Sequence, residues 1–265
     1  MTDAAQRPSA AVRTVTEVLK TPEGPEGIPL WLHPEWAELF PWLVQGTTGR
    51  DGPGDTTGFG LWGSTPVGVS LSRWRRLRET TGLPTAIHSR QVHGVRVEEW
   101  PKGLPSGLVV SEGADGHITR QPGMLLTVSA ADCVPVFLVA ENSRIVAVAH
   151  AGWRGVAGGM VENALAAMLA HDARLEEVRV HCGPSICGRC YEVGPEVHQA
   201  IHLSGGPFVK APIDLRAAIA IRFVDAGVRP ERITLSSHCT YCGGDFFSHR
   251  RGSEGRQVGV LGVRE

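Results

Sequence analysis

The segment 131–155, ADCVPVFLVAENSRIVAVAHAGWRG, places a thiol at the start of one apolar run and an imidazole at the end of the next, with a glycine-rich stretch behind. A turn centred on Asn142 and Ser143 predicts an antiparallel hairpin that sets Ala140 opposite Ile145, Pro135 opposite His150 and Cys133 opposite Gly152. Opposed residues share a face, which makes Cys133 and His150 diagonal neighbours roughly 7–8 Å apart at the backbone. At that separation both side chains reach one metal ion, or each other.

Further clusters put reactive side chains at the ends of apolar runs beside glycine. QVHG, Gln91–Gly94, carries an imidazole on a turn between two strands, and Asp132 sits next to Cys133. In HAGWRG, His150–Gly155, the strand stops, glycines turn the backbone and a helix begins near Val156. Gly152 and Gly155 let peptide N–H groups approach a ligand, a helix N-terminus favours an anion and Arg154 adds a positive charge, so the segment reads as a phosphate or carboxylate site, with a plain tight connection as the alternative. FFSHRR, Phe246–Arg251, offers Arg250 and Arg251 as a bidentate clamp on an oxyanion, with a solvated basic edge as the plain alternative. Trp153, Phe246 and Phe247 read as core side chains before they read as platforms for a base. Cys187-x-x-Cys190 and Cys239-x-x-Cys242 each present two thiolates at the bite of a tetrahedral ion, although the gap between the pairs exceeds that of a compact zinc ribbon. A second, structural metal, free buried thiols and a disulfide all fit that pattern.

These groups need a scaffold, and 265 residues with 42% hydrophobic content supply enough for a sizeable core. Residues 1–28, rich in Ala, Pro, Glu and Gly, read as a mobile tail ending in a short strand, and residues 29–265 as one catalytic domain. Thr47–Gly60 is a loop by composition. Strands are predicted over Thr85–Val92, Val95–Trp100, Met124–Ser129, Pro135–Glu141, Ile145–His150, Val178–Cys182, Ile233–Ser237 and Val258–Val263, and helices over Leu71–Thr81, Val156–Ala170 and Pro212–Ala226. One α/β domain on mixed sheet follows. With 26 basic against 27 acidic residues, and WRRLR at Trp74–Arg78 reading as a solvated helix face, no nucleic-acid or membrane partner is expected. No apolar run reaches the roughly 18 residues that span a bilayer. The expected location is the cytoplasm, where six cysteines serve as ligands or nucleophiles rather than disulfides.

QVHG at Gln91, ADG at Ala114, ADCVPV at Ala131, HAGWRG at His150, GPSICGRCYEVG at Gly183 and FFSHRR at Phe246 follow one another between about Leu43 and Val263. Together they resemble the YfiH-type laccase-domain family, long labelled polyphenol oxidase and now regarded as purine nucleoside phosphorylases. The resemblance implies mixed β-sheets in a layered α/β/β/α-like sandwich and a single transition metal, zinc or else copper, held by His93, Cys133 and His150. Three protein ligands leave one tetrahedral position open. The implied activity is phosphorolysis of adenosine, inosine and methylthioadenosine, with adenosine deamination alongside, in a monomer or homodimer whose partners are a nucleoside and phosphate. Arg154, the HAGWRG backbone, Arg250 or Arg251, and Arg50 are the candidate phosphate and substrate contacts; Asp115 or Asp132 is the candidate proton carrier. Many members carry an Asn in a PYxSLNL-like stretch where this chain reads TTGRDGPGDTTGFGLWG, around Arg50, with no clear counterpart. Three other classes compete: a copper-dependent phenol oxidase on the same ligands, a cysteine hydrolase with Cys133 activated by His150, and a non-enzymatic metal-storage or interaction module.

Overall fold

A computed structural model describes residues 9–22, 26–52, 54–56, 58–63, 65–202 and 208–265. Two seven-stranded mixed sheets face each other. The first runs β1 (Arg13–Val15), β15 (Ile233–Ser236), β12 (Val178–Cys182), β10 (Val134–Ala140), β11 (Ile145–Ala151), β8 (Gly116–Thr119), β6 (Val97–Glu99). The second runs β2 (Val18–Lys20), β3 (Leu30–Leu32), β4 (Leu43–Thr48), β16 (Gln257–Val263), β9 (Met124–Ala130), β5 (Thr85–Arg90), β7 (Gly107–Glu112). A small hairpin-like pair, β13 (Glu192–Val193) and β14 (Ala211–Pro212), stands apart.

The layering follows from strands that are apolar on both faces. In β10 and β11 every residue is buried, and alternate side chains enter different cores. Val136, Leu138 and Ala140 pack against α4 (Met160–Ala170) and α6 (Leu215–Asp225), while Phe137 and Val139 meet Leu126, Val128 and Leu261 of the other sheet. On the outer face of the second sheet, Leu125, Val258 and Val260 are covered by Trp74 and Leu77 of α2 (Val67–Thr81). The result is helix, sheet, sheet, helix. α1 (Pro34–Leu39) inserts Trp36 into the layer between the sheets, and α5 (Pro195–His202) packs beside α3 (Trp153–Gly158). No described helix is long and apolar enough to cross a membrane.

The sequence-based expectations differ from this in several places, and α1, α5 and β3 were not expected at all. The segment expected as a mobile tail adds β1 to one sheet and β2 to the other, and the buried Glu17 carboxylate between them accepts hydrogen bonds from Ser236 Oγ (2.8 Å) and His181 (2.9 Å). Strands of three residues carry too little pattern to be read. The helix expected from Val156 starts at Trp153 and breaks at Gly159, whose φ of +99° only glycine adopts readily, giving α3 and α4. Thr47 and Thr48 belong to β4 rather than to a loop. β7 and β8 were not expected; β8 completes the sheet beside β11.

Candidate metal centre and active-site cleft

The hairpin pairs as its turn dictates: Ala140 with Ile145, Pro135 with His150, Val134 with Ala151. Cys133 therefore enters the first sheet at the end where His150 leaves it. His93 comes from a different element, the turn after β5. The ligand atoms of His93, Cys133 and His150 all lie within 4.8 Å of one another, with the two rings edge to face at 4.8 Å between centroids. Two residues at this point hold left-handed backbone, His93 at φ 58° and Asp132 at φ 86°, conformations that persist only where surrounding bonds impose them. Gly152 leaves room for the ligands: a Cβ there would press on both Cys133 Sγ and His93 Cδ2 at 3.1 Å.

Asp115 imposes the geometry on one side. Fully buried just before β8, its carboxylate accepts the backbone N–H groups of Val92, His93 and Gly94, each at 2.9 Å, and Nδ1 of His150 at 2.9 Å. Burial works against the carboxylate charge, but the bonds from His150 and the Val92 and Gly94 amides hold Asp115 down at about 2. An ionised carboxylate only accepts, so Nδ1 of His150 is the protonated nitrogen and Nε2 faces the cluster. Burial also opposes charge on His150 and Cys133. The opposite charges of Cys133 and Asp115 nonetheless raise His150 to about 9, and the two imidazoles bring Cys133 down to about 6. One thiolate and two imidazoles, the buried imidazole fixed by a carboxylate on its far nitrogen, fit a transition-metal ion.

Residues 65–264 match the family model described as "Multi-copper polyphenol oxidoreductase laccase". The chain belongs to this YfiH-type laccase-domain family. One relative, adenosine deaminase RL5 from an unknown prokaryotic organism, is 36% identical over 196 residues, covering 70% of this chain and 72% of that protein. Purine nucleoside phosphorylase YlmD of Geobacillus stearothermophilus is 32% identical over 212 residues, covering 72% and 77%. The crystal structure of YlmD from that organism superposes with a TM-score of 0.80 at 27% identity, covering 94% of this chain and 100% of that one.

In this laccase-domain chain the expected ligand triad comes together, and most of the other expected residues turn out to be held by the protein itself. Both aspartates are saturated with donors. Asp132 accepts Thr240 Oγ1 (2.6 Å), Ser248 Oγ (3.0 Å) and the Arg250 N–H (2.7 Å), so it, like Asp115, positions a neighbouring ligand and is not placed to carry protons for a substrate. The Arg251 guanidinium donates to the carbonyls of Tyr241, Gly243 and Phe246, and that of Arg50 to the carbonyl of Asp55 while lying over Phe247. Both guanidinium groups are thus held by the protein's own carbonyls. Arg250 bonds the Glu192 carbonyl at 3.0 Å over the Tyr191 ring. Arg154 is exposed and stacked on Trp153 at 4.3 Å. α3 has only six residues, so little dipole gathers at Gly152; Gly155 leaves room beside the Gly94 carbonyl, which an added Cβ would approach to 3.1 Å. Phe246 and Phe247 are core residues, each 1% exposed.

A cleft of about 340 Å³ opens onto the triad where the ends of β5 and β9 meet those of β10 and β11. Trp62, Arg90, His249 and Arg256 line it beside the three ligands, and none of the four was singled out in the sequence. Arg90 stands one residue before QVHG, and His249 lies inside FFSHRR, where the paired arginines drew the reading. Arg256 also holds the carbonyls of Ser253, Glu254 and Gly255. Among the described residues the Arg90 side chain has no hydrogen bond or ion pair, and the residue is exposed at the cleft. Gln91 does not reach for a ligand; its amide exchanges two bonds with the Ser129 backbone and extends the β5 ladder by one rung.

Proposed function

We propose that the protein is a zinc-dependent purine nucleoside phosphorylase that splits adenosine, inosine and methylthioadenosine with phosphate, and that the same cleft deaminates adenosine. The observation that carries this reading is the convergence of His93, Cys133 and His150 at the floor of a cleft whose wall presents an unengaged guanidinium, Arg90. Relatives at 36% and 32% identity carry deaminase and phosphorylase names. When bound, the ion supplies a Lewis acid at the floor of the cleft. Asp115 keeps His150 and His93 aimed at that ion in every state of the substrate. Arg90 binds phosphate by charge-assisted hydrogen bonds. Trp62, stacked on His88 with 46% of its surface exposed, offers its outer face to a purine. His249, an imidazole in the cleft outside the ligand set, carries the proton to or from the base. All six cysteines are free, which fits the cytoplasm.

The test is phosphate-dependent release of hypoxanthine from inosine by the purified protein and its Cys133→Ala variant, with metal content measured in both. Loss of turnover together with the ion supports the proposal; undiminished turnover in the variant rejects it. A second reading rests on the chain Asp115–His150–Cys133, which without an ion has the arrangement of a cysteine nucleophile, its base and an orienting acid. Chelation separates the two, since it abolishes phosphorolysis but activates a thiol hydrolase. An oxidase using several coppers is disfavoured, because the other donor cluster among the described residues is made of four cysteines and no imidazole.

A further inference from the structure

The second cluster is assembled by strand pairing. β12 and β15 run parallel, His181 beside Thr234 and Cys182 beside Leu235, so the segments that follow them leave the sheet at the same end. Cys187 and Cys190 lie in the first segment, Cys239 and Cys242 in the second. A bridge between Ser185 and Cys239, and a 3.1 Å bond from the Thr240 N–H to the Ser185 carbonyl, lash the two segments together. All four sulfurs lie within 4.8 Å of one another, with Cys190 and Cys242 3.2 Å apart. The backbone N–H groups of Cys187 and Cys242 both point at Cys239 Sγ, at 3.3 and 3.4 Å. Two amides converging on one sulfur satisfy a thiolate far better than a thiol.

We propose that Cys187, Cys190, Cys239 and Cys242 form a second metal centre that holds a structural zinc ion. Four soft thiolates close the tetrahedron, leaving no position for a substrate. Four thiols give up their protons on binding, so occupancy rises with pH. The location states what the ion is for. Residues 237–256 contain neither helix nor strand, yet Thr240, Ser248 and the Arg250 amide from that segment are the groups that hold Asp132. Arg251 stitches the same loop by donating to the carbonyls of Tyr241 and Gly243 beside Cys242. An ion at the cysteines anchors the loop, the loop holds Asp132 in its left-handed conformation, and Asp132 sets the entry of Cys133 into β10. The inference does not depend on which reaction the cleft performs.

The test is metal stoichiometry of the protein purified under reducing conditions without chelator. Two zinc ions per chain are expected in the wild type, one in Cys239→Ser and one in Cys133→Ala, the two variants losing different ions. So that unfolding of the loop in Cys239→Ser does not decide the test, the wild type and Cys133→Ala are also alkylated with iodoacetamide before and after chelation. Cys187, Cys190, Cys239 and Cys242 are expected to be protected in both until the ion is removed, and Cys133→Ala refilled with cobalt should show the absorption of a tetrahedral thiolate site. Alkylation of the four cysteines in the wild type without chelation, equal metal content in Cys239→Ser and wild type, a Cys190–Cys242 disulfide in the reduced preparation, or iron at the site would each overturn the proposal.

Discussion

The two sulfur-bearing clusters are built in opposite ways. His93, Cys133 and His150 are positioned by strand register and by a buried carboxylate: Cys133 and His150 sit at the ends of strands whose every residue is packed, and Asp115 fixes two of the three ligands. Cys187, Cys190, Cys239 and Cys242 hang on turns with no regular structure, joined by a few backbone bonds. A rigid frame can present a ligand set with a position left open, whereas irregular loops become rigid only when the set closes on an ion. Asp132 joins the two regimes, with its carboxylate in the loop and its backbone leading into the strand.

The largest effect is expected on removing the carboxylate of the rigid frame. Asp115→Ala leaves three amides and a buried imidazole without their acceptor, and should lower stability by about 3 kcal/mol or more, read as a fall in Tm. Metal affinity at the triad should drop roughly 10- to 100-fold, by competition with a chelator, while alkylation of the four cysteines is unchanged. If their protection fell as well, the clusters would not be separate units. Asp132→Asn tests the junction. Its amide N–H2 opposes donors that it formerly accepted, costing about 1–3 kcal/mol, and hydrogen exchange should rise in residues 237–256 and around Cys133 together.

Smaller effects bear on the cleft and on pH. Arg90→Ala should raise the KM for phosphate about tenfold, as expected for one charge-assisted bond lost, with metal content and the KM for inosine unaltered. The metal-free frame also has a definite pH window. Asp115, held at about 2 against an ordinary 3.8, contributes stability above pH 3.8 that disappears as pH falls through about 2. His150, raised from 6.5 to about 9, contributes below pH 6.5 and loses that contribution as pH rises through about 9. Cys133, lowered from 9.0 to about 6, contributes in the opposite sense, fully above pH 9 and lost as pH falls through about 6, which offsets the loss at His150. Chelated protein should therefore hold a nearly constant Tm between about pH 4 and 9 and lose stability as pH falls toward about 2, and a steep fall between about pH 6.5 and 9 would contradict the proposed ionisation.

Local pattern carried part of this site and long-range pairing carried the rest. The Cys133–His150 juxtaposition was legible because strand alternation and a two-residue turn fix register between neighbours in the chain. His93 came only from resemblance: its turn is tied to Asp115, 22 residues on. The arginines were misjudged for a similar reason. A guanidinium is taken up by whichever carbonyls the fold brings near, and spacing does not show that Arg251 caps its own loop while Arg90 is left open. The two CxxC pairs were each visible. Their union depends on β12 lying parallel to β15, which no local motif announces. The layered fold came from the resemblance; the apolar runs alone supported one α/β domain on mixed sheet, and three-residue β1 was not legible in them.

The N-terminal segment has a consequence of another kind. β1 covers the outer margin of one sheet and β2 that of the other, a few residues apart. A chain shortened past residue 20 would lay bare the backbone donors and acceptors of β15 and β3 at once. Each would be a ready template for strand exchange with a second molecule. Keeping residues 13–20 thus guards against aggregation as much as it preserves the fold.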